Sequence, residues 1–456
     1  MHRGEGRTYG NATAAAAPLR PPGTPVRGGP APPPQPPPRV PAQRPAPAAQ
    51  FRAPEATVRA VPRKGHLGPF SLAQILAAEA ALFALVAAVT RSPVALLAAL
   101  AGSAVLLLVF FARRQHRWWL EHQLVARDHR RRRAARADPR SGPVLAALRT
   151  IAPGLTVEDI GVPDRAAPGI TGTDGPAVPE KAVGVARDEA GWFAAVALDP
   201  AAAPLPLDTL LGVLSGTGQP GLMMELVTHT VPAPSPDVPA ASPSGASYRQ
   251  LVETVSPVPV PAYRESTISV RIDAQSLAEA VLDHTTDPDE AAKLVAGLAR
   301  KVAAGLRRLG VTGRPLDSGQ LLALLARSCD VEPWALTEGP GVDEAWTHWR
   351  SARLVHRTYW LKTWPAAATE IGSLFAWAAT APAAQTSVAL VLDTAGGDEV
   401  AMRAFIRLAT RPDADLRALD RVLQEGVRRV GGELQALDGE HGPAAYATAP
   451  TGGGAG

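Results

Sequence analysis

Two uninterrupted apolar stretches, Phe70 to Thr90 and Val94 to Ala112, are separated only by Arg91-Ser92-Pro93. At a helical rise of about 1.5 Å per residue, each reaches close to the roughly 30 Å of a bilayer core. They predict a transmembrane helical hairpin over 70–90 and 94–112, which divides the chain into a tail before the membrane and a body after it. A signal peptide does not fit, because the first apolar run begins at residue 70 and a second follows at once. The competing reading is a buried hairpin of a soluble protein, and the flanks Arg63-Lys64 and Arg113-Arg114 argue against it.

Charge predicts the orientation. The 456 residues carry a formal net charge of only +4. Residues 1–140, however, hold 21 Lys+Arg against 6 Asp+Glu, a net of +15, leaving 25 against 36, a net of −11, for residues 141–456. Ten basic residues precede the hairpin, ten arginines lie between Arg113 and Arg140, and the connecting turn holds one. By the positive-inside rule both termini are expected in the cytoplasm, with the hairpin in the plasma (inner) membrane. Arg113, Arg114, Trp118 and Trp119 fall where cationic and amphipathic side chains suit the membrane interface. The second helix is expected to continue through His122 toward Arg136 in a basic juxtamembrane segment, 113–140. That would set Arg130-Arg131-Arg132-Arg133 near anionic lipid. Nucleic acid is the competing partner for such a run, and its position beside the membrane favours lipid or an acidic protein surface.

Inside the hairpin, Glu79 sits at the middle of the first span and Gln74 nearer its start. An intramembrane carboxylate costs about 2.5–3.5 kcal/mol on insertion scales, so it is expected to face protein or water. A proton relay needs further ionisable groups at similar depth, and the second span has none. A contact to a partner helix needs one. The rows Ala77, Ala81 and Ala80, Ala84, Ala88, with Ala98 and Gly102 opposite, permit close helix approach. Gln74, Glu79, Ala98 and Gly102 are therefore read as intramembrane packing residues.

The tail, residues 1–69, contains 17 prolines, including Pro32-Pro33-Pro34-Gln35-Pro36-Pro37-Pro38, and cannot bury enough apolar surface to order itself. It is expected to be disordered and partly polyproline II; PxxP-like recognition is the alternative to a plain linker. Residues 141–456 read as a mixed α/β domain. A strand hairpin turns at Asp188-Glu189-Ala190-Gly191, and strands are expected around Ile268 to Ile272 and Val388 to Leu392. Helices are expected after Asp287-Pro288, over Ser318 to Cys329, and along Leu416, Leu419, Val422, Leu423, Val427. Residues 232–261 are expected to form a Pro/Ser-rich loop. The single cysteine, Cys329, excludes an intramolecular disulfide and any Cys-rich metal site.

Motifs for catalysis fare poorly. Gly216-Thr-Gly218-Gln-Pro-Gly221 matches a dinucleotide-binding string, but it follows a helix-like stretch and precedes a strand, the reverse of what phosphate binding needs. Asp287-Pro-Asp289 and Asp413-Ala-Asp415 could hold a divalent cation on a nucleotide-linked donor, yet both stand where a helix starts and acids cap. Asp393 is better placed, at the end of a buried strand, without an evident partner in sequence. His116, His122 and His129 do not share a ligand-forming face. No P-loop, HExxH or GxSxG string occurs, and no cofactor or metal site is expected. The densest cytosolic feature is the basic and aromatic stretch carrying Trp346, Trp349, Arg353, Arg357, Trp360 and Trp364. It is read either as a two-sided strand pair or as a candidate partner interface.

Taken in order, the hairpin, Gly191-Trp192-Phe193, Ser269-Val270-Arg271-Ile272-Asp273, His356-Arg357-Thr-Tyr-Trp360-Leu-Lys-Thr-Trp364, Ser387-Val-Ala-Leu-Val-Leu-Asp393 and Asp438-Gly-Glu-His-Gly442 through Pro450-Thr-Gly-Gly resemble the EccE family of actinobacterial type VII (ESX) secretion systems. The similarity runs from about Phe70 to the C-terminus. It implies a structural subunit of the inner-membrane complex, assembled with EccB, the ATPase EccC and EccD. It also implies a cytoplasmic domain resembling a degenerate glycosyltransferase-type α/β fold without established activity. The rival expectation is a membrane-anchored transferase using a nucleotide-linked donor. The long Pro-rich tail departs from shorter family members, and no role for it carries over.

Overall fold

The computed structural model describes residues 57–60, 66–67, 70–114, 117–134, 142–161, 182–200, 205–232, 242–255, 261, 263–274, 276–277, 288–338, 341–366, 368–394 and 399–454. The Pro-rich tail and Asp287 lie outside them, except that Thr57–Ala60 (β1) and His66–Leu67 (β2) are strands; β2 pairs with Phe70–Ser71 (β3) at the mouth of the hairpin.

The hairpin forms as expected, from helices α1 (Leu72–Val89) and α2 (Pro93–Phe111), both long and apolar enough to cross a membrane. Ser92 caps α2 by accepting the Ala95 N–H at 3.1 Å, and Pro93 takes the first helical position, where a missing N–H costs nothing. Gln74, Ala77, Ala81 and Ala88 of α1 are buried against α2, together with Ser103. Gln74 Nε2 donates to the Phe110 carbonyl at 2.9 Å and Ser103 Oγ to the Ala81 carbonyl at 3.3 Å. These two polar groups, which in hydrocarbon must find partners within protein, set the rotation. Ala98 and Gly102 are consequently exposed, as are Glu79, Ala80 and Ala84.

The second span does not run on into the basic segment. Ala112 is extended, Arg113–Arg114 (β4) and Arg117–Trp118 (β5) pair antiparallel, and helix α3 (Trp119–Ala134) starts afresh. The Trp119 N–H donates to the Ala112 carbonyl at 2.8 Å, and Arg113 stacks on Trp118 at 4.2 Å.

The body follows, in chain order, as α4 (Pro143–Arg149), β6 (Thr156–Ile160), β7 (Val183–Asp188), β8 (Gly191–Leu198), α5 (Leu207–Thr217), β9 (Leu222–Val231), α6 (Pro243–Val255) and β10 (Tyr263–Asp273). It continues with α7 (Pro288–Arg308), β11 (Gly313–Pro315), α8 (Ser318–Ser328), α9 (Pro333–Glu338), β12 (Asp343–Glu344), β13 (Trp349–Arg350) and β14 (Val355–Thr363). The remainder is α10 (Ala368–Ala378), β15 (Gln385–Thr394), β16 (Glu399–Thr410), α11 (Leu416–Arg429), β17 (Glu433–Ala436) and α12 (His441–Ala447). Helix α6 interrupts the stretch expected to be loop; the Ser242 hydroxyl accepts the Gly245 N–H at 3.1 Å and Pro243 opens the helix.

The mixed α/β class holds, built on one sheet ordered β12-β13-β14-β16-β15-β9-β10-β8-β7-β6, with β1 on β16, β11 on β8 and β17 on β14. Apart from β1 with β16, its described pairings are antiparallel. Alternation gives the sheet two unlike faces. One face, with Leu222, Met224, Ile268, Val270, Leu390, Leu392 and Ile406, packs under α5, α7, α10 and α11 in the larger apolar core. The other has an apolar cluster at the β7–β8 end, where Ala186, Phe193 and Ala195 meet α4, α8 and Tyr446. Its centre is polar and nevertheless buried.

Candidate functional site

The buried polar centre is a row across five strands. The register sets Glu265 of β10 opposite His229 of β9, His229 opposite Ser387 of β15, Ser387 opposite Arg407 of β16, and Arg407 opposite Thr358 of β14. His229 bonds Ser387 Oγ through Nδ1 at 2.6 Å and Ser328 Oγ through Nε2 at 2.8 Å. Arg407 is 1% exposed; it donates to the Ser328 carbonyl at 2.7 Å, Ser387 Oγ at 3.0 Å and the Ala445 carbonyl at 3.1 Å. It thereby hangs α8 and α12 on the sheet. Burial, reinforced by the Arg407 cation, pushes the His229 imidazole down to about 3, so it stays neutral and uses each ring nitrogen as a fixed donor or acceptor. Burial raises the neighbouring Cys329 thiol, which keeps it unreactive.

Four residues back from His229 along β9 and on the same face, Glu225 lies in a cradle made by the C-terminal segment. Its Oε2 accepts the N–H groups of Thr451, Gly452 and Gly453 at 3.1, 2.7 and 2.9 Å and the Ser269 hydroxyl at 3.0 Å. The cradle needs glycine: Gly452 and Gly453 have φ of +79° and +89°, and a Cβ on Gly452 would strike the Arg271 side chain. Burial pushes the Glu225 carboxyl up to about 8, against the pull of those hydrogen bonds. The folded state therefore holds a proton that the unfolded chain releases above about 4.5, and stability falls as pH rises toward 8. The buried histidines His229, His356 and His441, all depressed, act in the opposite sense below about 6.5. Between about pH 6.5 and 8 the Glu225 contribution to the slope is up to about 1.4 kcal/mol per pH unit. Urea unfolding of the detergent-solubilised chain should show that slope, and Glu225→Gln should abolish it; equal slopes in the two proteins would remove this role.

A third tie is the buried pair of Arg271 and Asp188. The two are bidentate, Tyr446 OH donates to Asp188 Oδ2 at 2.9 Å, and Arg271 Nη1 also reaches the Thr451 carbonyl at 3.0 Å. The pocket beside Asp188, walled by Ile151, Pro153, Pro443 and Tyr446, has a volume of about 40 Å³, room for a water rather than a nucleotide. This face has the composition of a reaction centre but is sealed by the segment from Asp438 to Gly454. The Ser328–His229–Ser387 chain lies beneath α8 and α12, and its polar atoms are spent on holding elements together.

The second feature is where the basic helix meets the acidic body. Arg117, 4% exposed, bonds Glu440 at 2.9 Å. Arg132 forms a forked pair with Glu344 at 3.0 and 3.1 Å and donates to the Gly439 carbonyl at 2.6 Å; Arg133 stands 3.7 Å from Asp343. Glu344 also accepts the Gly442 N–H, tying β12 to the start of α12. His122 and His129 pack edge-on against the Trp346 ring at 4.9 and 5.6 Å. Gly439, at φ +80°, leaves no room for a Cβ between Trp346 and Val125. The basic run expected at lipid is thus divided: Arg132 turns to protein, whereas Arg127, Arg130 and Arg131 stay exposed.

The basic and aromatic stretch is dispersed. Trp349 is fully buried and tilts against His356 at 4.8 Å, so its ring offers no open surface, and Trp346 is half-buried beside α3. Arg353 pairs with Asp330 and stacks on the exposed Trp334 at 4.2 Å. Arg357, 15% exposed, lies between Asp420 and Asp438 at 3.8 and 3.7 Å. Trp360 is half-buried on β14, and Trp364 meets Phe375 edge-on at 6.2 Å. The Gly216–Gly221 string is the end of α5, with Gly218 in the left-handed region, and the turn into β9. Asp415 caps α11 through the Arg417 and Ala418 N–H groups, Asp289 sits in the first turn of α7, and Asp393 is half-buried near the end of β15. Among the described residues, no group of three His, Cys, Asp or Glu side chains is placed to hold a metal ion. Sequence reading missed Glu225, His229, Asp188, Arg271 and Arg407 as a set, although Glu225 with His229 and Ser269 with Arg271 occupy alternate strand positions facing one way.

No curated protein matches the chain. A family model does, over residues 260–361, from the start of β10 through α7, α8, α9, β12 and β13 and most of β14; its description is "Putative type VII ESX secretion system translocon, EccE". The matched span contributes Ser269 and Arg271 to the polar face, Ser328 and Asp330 to the close of α8, and Glu344 and Trp346 to the α3 contact. Over residues 260–361, the chain is thus similar to the EccE family, described as a type VII ESX secretion component.

Proposed function

We propose that this chain is a structural, non-catalytic subunit of the type VII (ESX) membrane complex, assembled with EccB, EccC and EccD. The hairpin anchors it in the plasma membrane with both termini cytoplasmic, and α3 fixes the acidic body at the membrane surface. The observation that carries this reading is the α3 contact, in which arginines following the second span are held by Glu440, Glu344 and Asp343 of the body. The positive-inside rule supports the orientation. Strand β1, ahead of the hairpin, also pairs with β16 behind it, which agrees with both ends lying on one side. Exposed Glu79, Ala98 and Gly102 form the faces offered to partner helices, and Arg127, Arg130 and Arg131 meet anionic lipid. On the body, Arg353, Trp360 and Trp364 retain surface for a partner.

Affinity purification of the tagged chain from mildly solubilised membranes is expected to recover other secretion-complex subunits; recovery of this chain alone would overturn the scaffold reading. Glu79→Leu should insert normally but weaken assembly about threefold to thirtyfold, the range expected for a polar contact between membrane helices worth about 0.6–2 kcal/mol. Unchanged assembly would dismiss the Glu79 contact while leaving the scaffold in place.

A further inference from the structure

Strand β16 is twelve residues long, and its two edges are covered unequally. On one edge β15 accompanies it from Val400 to Ala409. On the other, β14 pairs only from Phe405 to Thr410, and β17 lies on the far edge of β14. Residues 399–404 would thus present an open strand edge in the middle of the sheet, the kind of edge that recruits a further strand. Since β15 already occupies the opposite side of Val400, Ala401 and Met402, β1 must lie on this open side. It does so in parallel, with Thr57 opposite Glu399, Val58 opposite Val400, Arg59 opposite Ala401 and Ala60 opposite Met402.

The sequence of the tail explains why this segment fits. Thr57-Val58 puts two β-branched residues side by side in the Pro-free window from Glu55 to Val61, and Pro62, which has no N–H to give a ladder, closes the window. We propose that the 399–402 edge of β16 is a strand-addition site whose occupant is Thr57–Ala60 of the same chain. The site makes that segment a strap between the pre-membrane chain and the cytosolic sheet. The hairpin is then suspended at two points, through β1 before the first span and α3 after the second. A four-residue strand adds few hydrogen bonds against the entropy of ordering its residues, so the strap opens far more readily than the sheet. This inference concerns the hold on the hairpin and stands or falls separately from the identity of the partner subunits.

The full chain in lipid nanodiscs provides the test. In a parallel ladder alternate residues of β1 direct their N–H groups to β16, so one of Val58→Pro and Arg59→Pro must remove a rung. That variant should speed deuterium exchange of the amides at 399–402 at least tenfold, with 405–410 unchanged. Cross-linking supplies a second reading, because the native Cys329 is buried and a paired register brings Cα atoms within disulfide range. Arg59→Cys with Ala401→Cys should cross-link under mild oxidation, and Arg59→Cys with Ala409→Cys should not. Unchanged exchange in both proline variants, or a matched cysteine pair that cross-links no better than the mismatched one, overturns the strap.

Discussion

Arg271→Met should destabilise the body that follows the hairpin by about 3–5 kcal/mol, the range found when one member of a buried ion pair is removed and the other left uncompensated. Arg271 and Asp188 have side chains 0% and 2% exposed, so water cannot replace the lost guanidinium. The loss should also be visible locally. Arg271 holds the Thr451 carbonyl, and Asp188 holds Tyr446, so the segment from Asp438 to Gly454 should become sensitive to protease before the sheet does. Tyr446→Phe removes only one hydrogen bond to a charged group and should cost less, about 1.5–3 kcal/mol. Denaturant titration of the solubilised variants provides the comparison. A loss below about 1 kcal/mol for Arg271→Met, or a Tyr446→Phe effect as large as it, would mean that the pair does not secure the C-terminal segment.

Arg132→Ala should release α3 from the body. The substitution removes the forked bond to Glu344 and the bond to the Gly439 carbonyl, and it leaves Glu344, 8% exposed, without its cation. Hydrogen bonds to charged groups contribute about 1.5–3 kcal/mol, so the undocked fraction should rise roughly tenfold to a hundredfold. Trypsin cleavage within Arg127 to Arg133 in nanodiscs reads that fraction. Arg131→Ala is the matched control, because Arg131 is 66% exposed and reaches only Asp128, at 4.0 Å. Equal cleavage of the two variants would show that the helix is held by its aromatic contacts rather than by charge. Loss of complex assembly in Arg132→Ala alone would tie the docking to the proposed scaffold.

What could be read in the sequence followed local rules. The hairpin, the cap at Asp415, the α7 stripe through Leu298, Val302 and Leu306, and the strands at 268–272 and 388–392 all come from periodicity and capping within a few residues. The polar face did not, for a physical reason. Polar residues at alternate strand positions, such as Glu225 with His229 or Ser269 with Arg271, ordinarily mark the solvated side of an antiparallel sheet. Here the covering segment lies about two hundred residues away in sequence, and no local pattern announces it. The rotation of α2 escaped for a related reason: Ala98, Ala99, Ala101, Gly102 and Ser103 place small residues on several faces. The buried partners of Gln74 and Ser103 select one of them. The charge asymmetry was legible, but its use was only half so, since part of the basic excess is neutralised by this chain's own acids.

The wide separation of the polar contacts also has a consequence for biosynthesis. Tyr446 meets Asp188 across 258 positions, and Gly453 meets Glu225 across 228. At roughly 5–20 residues per second, on the order of 10–50 s elapse between translation of Asp188 and of the residue that seals it. During that interval the hairpin has already left the ribosome, while Glu225 and then Arg271 wait without their C-terminal partners. Synthesis of the two apolar helices is therefore complete well before the polar face of the body can close.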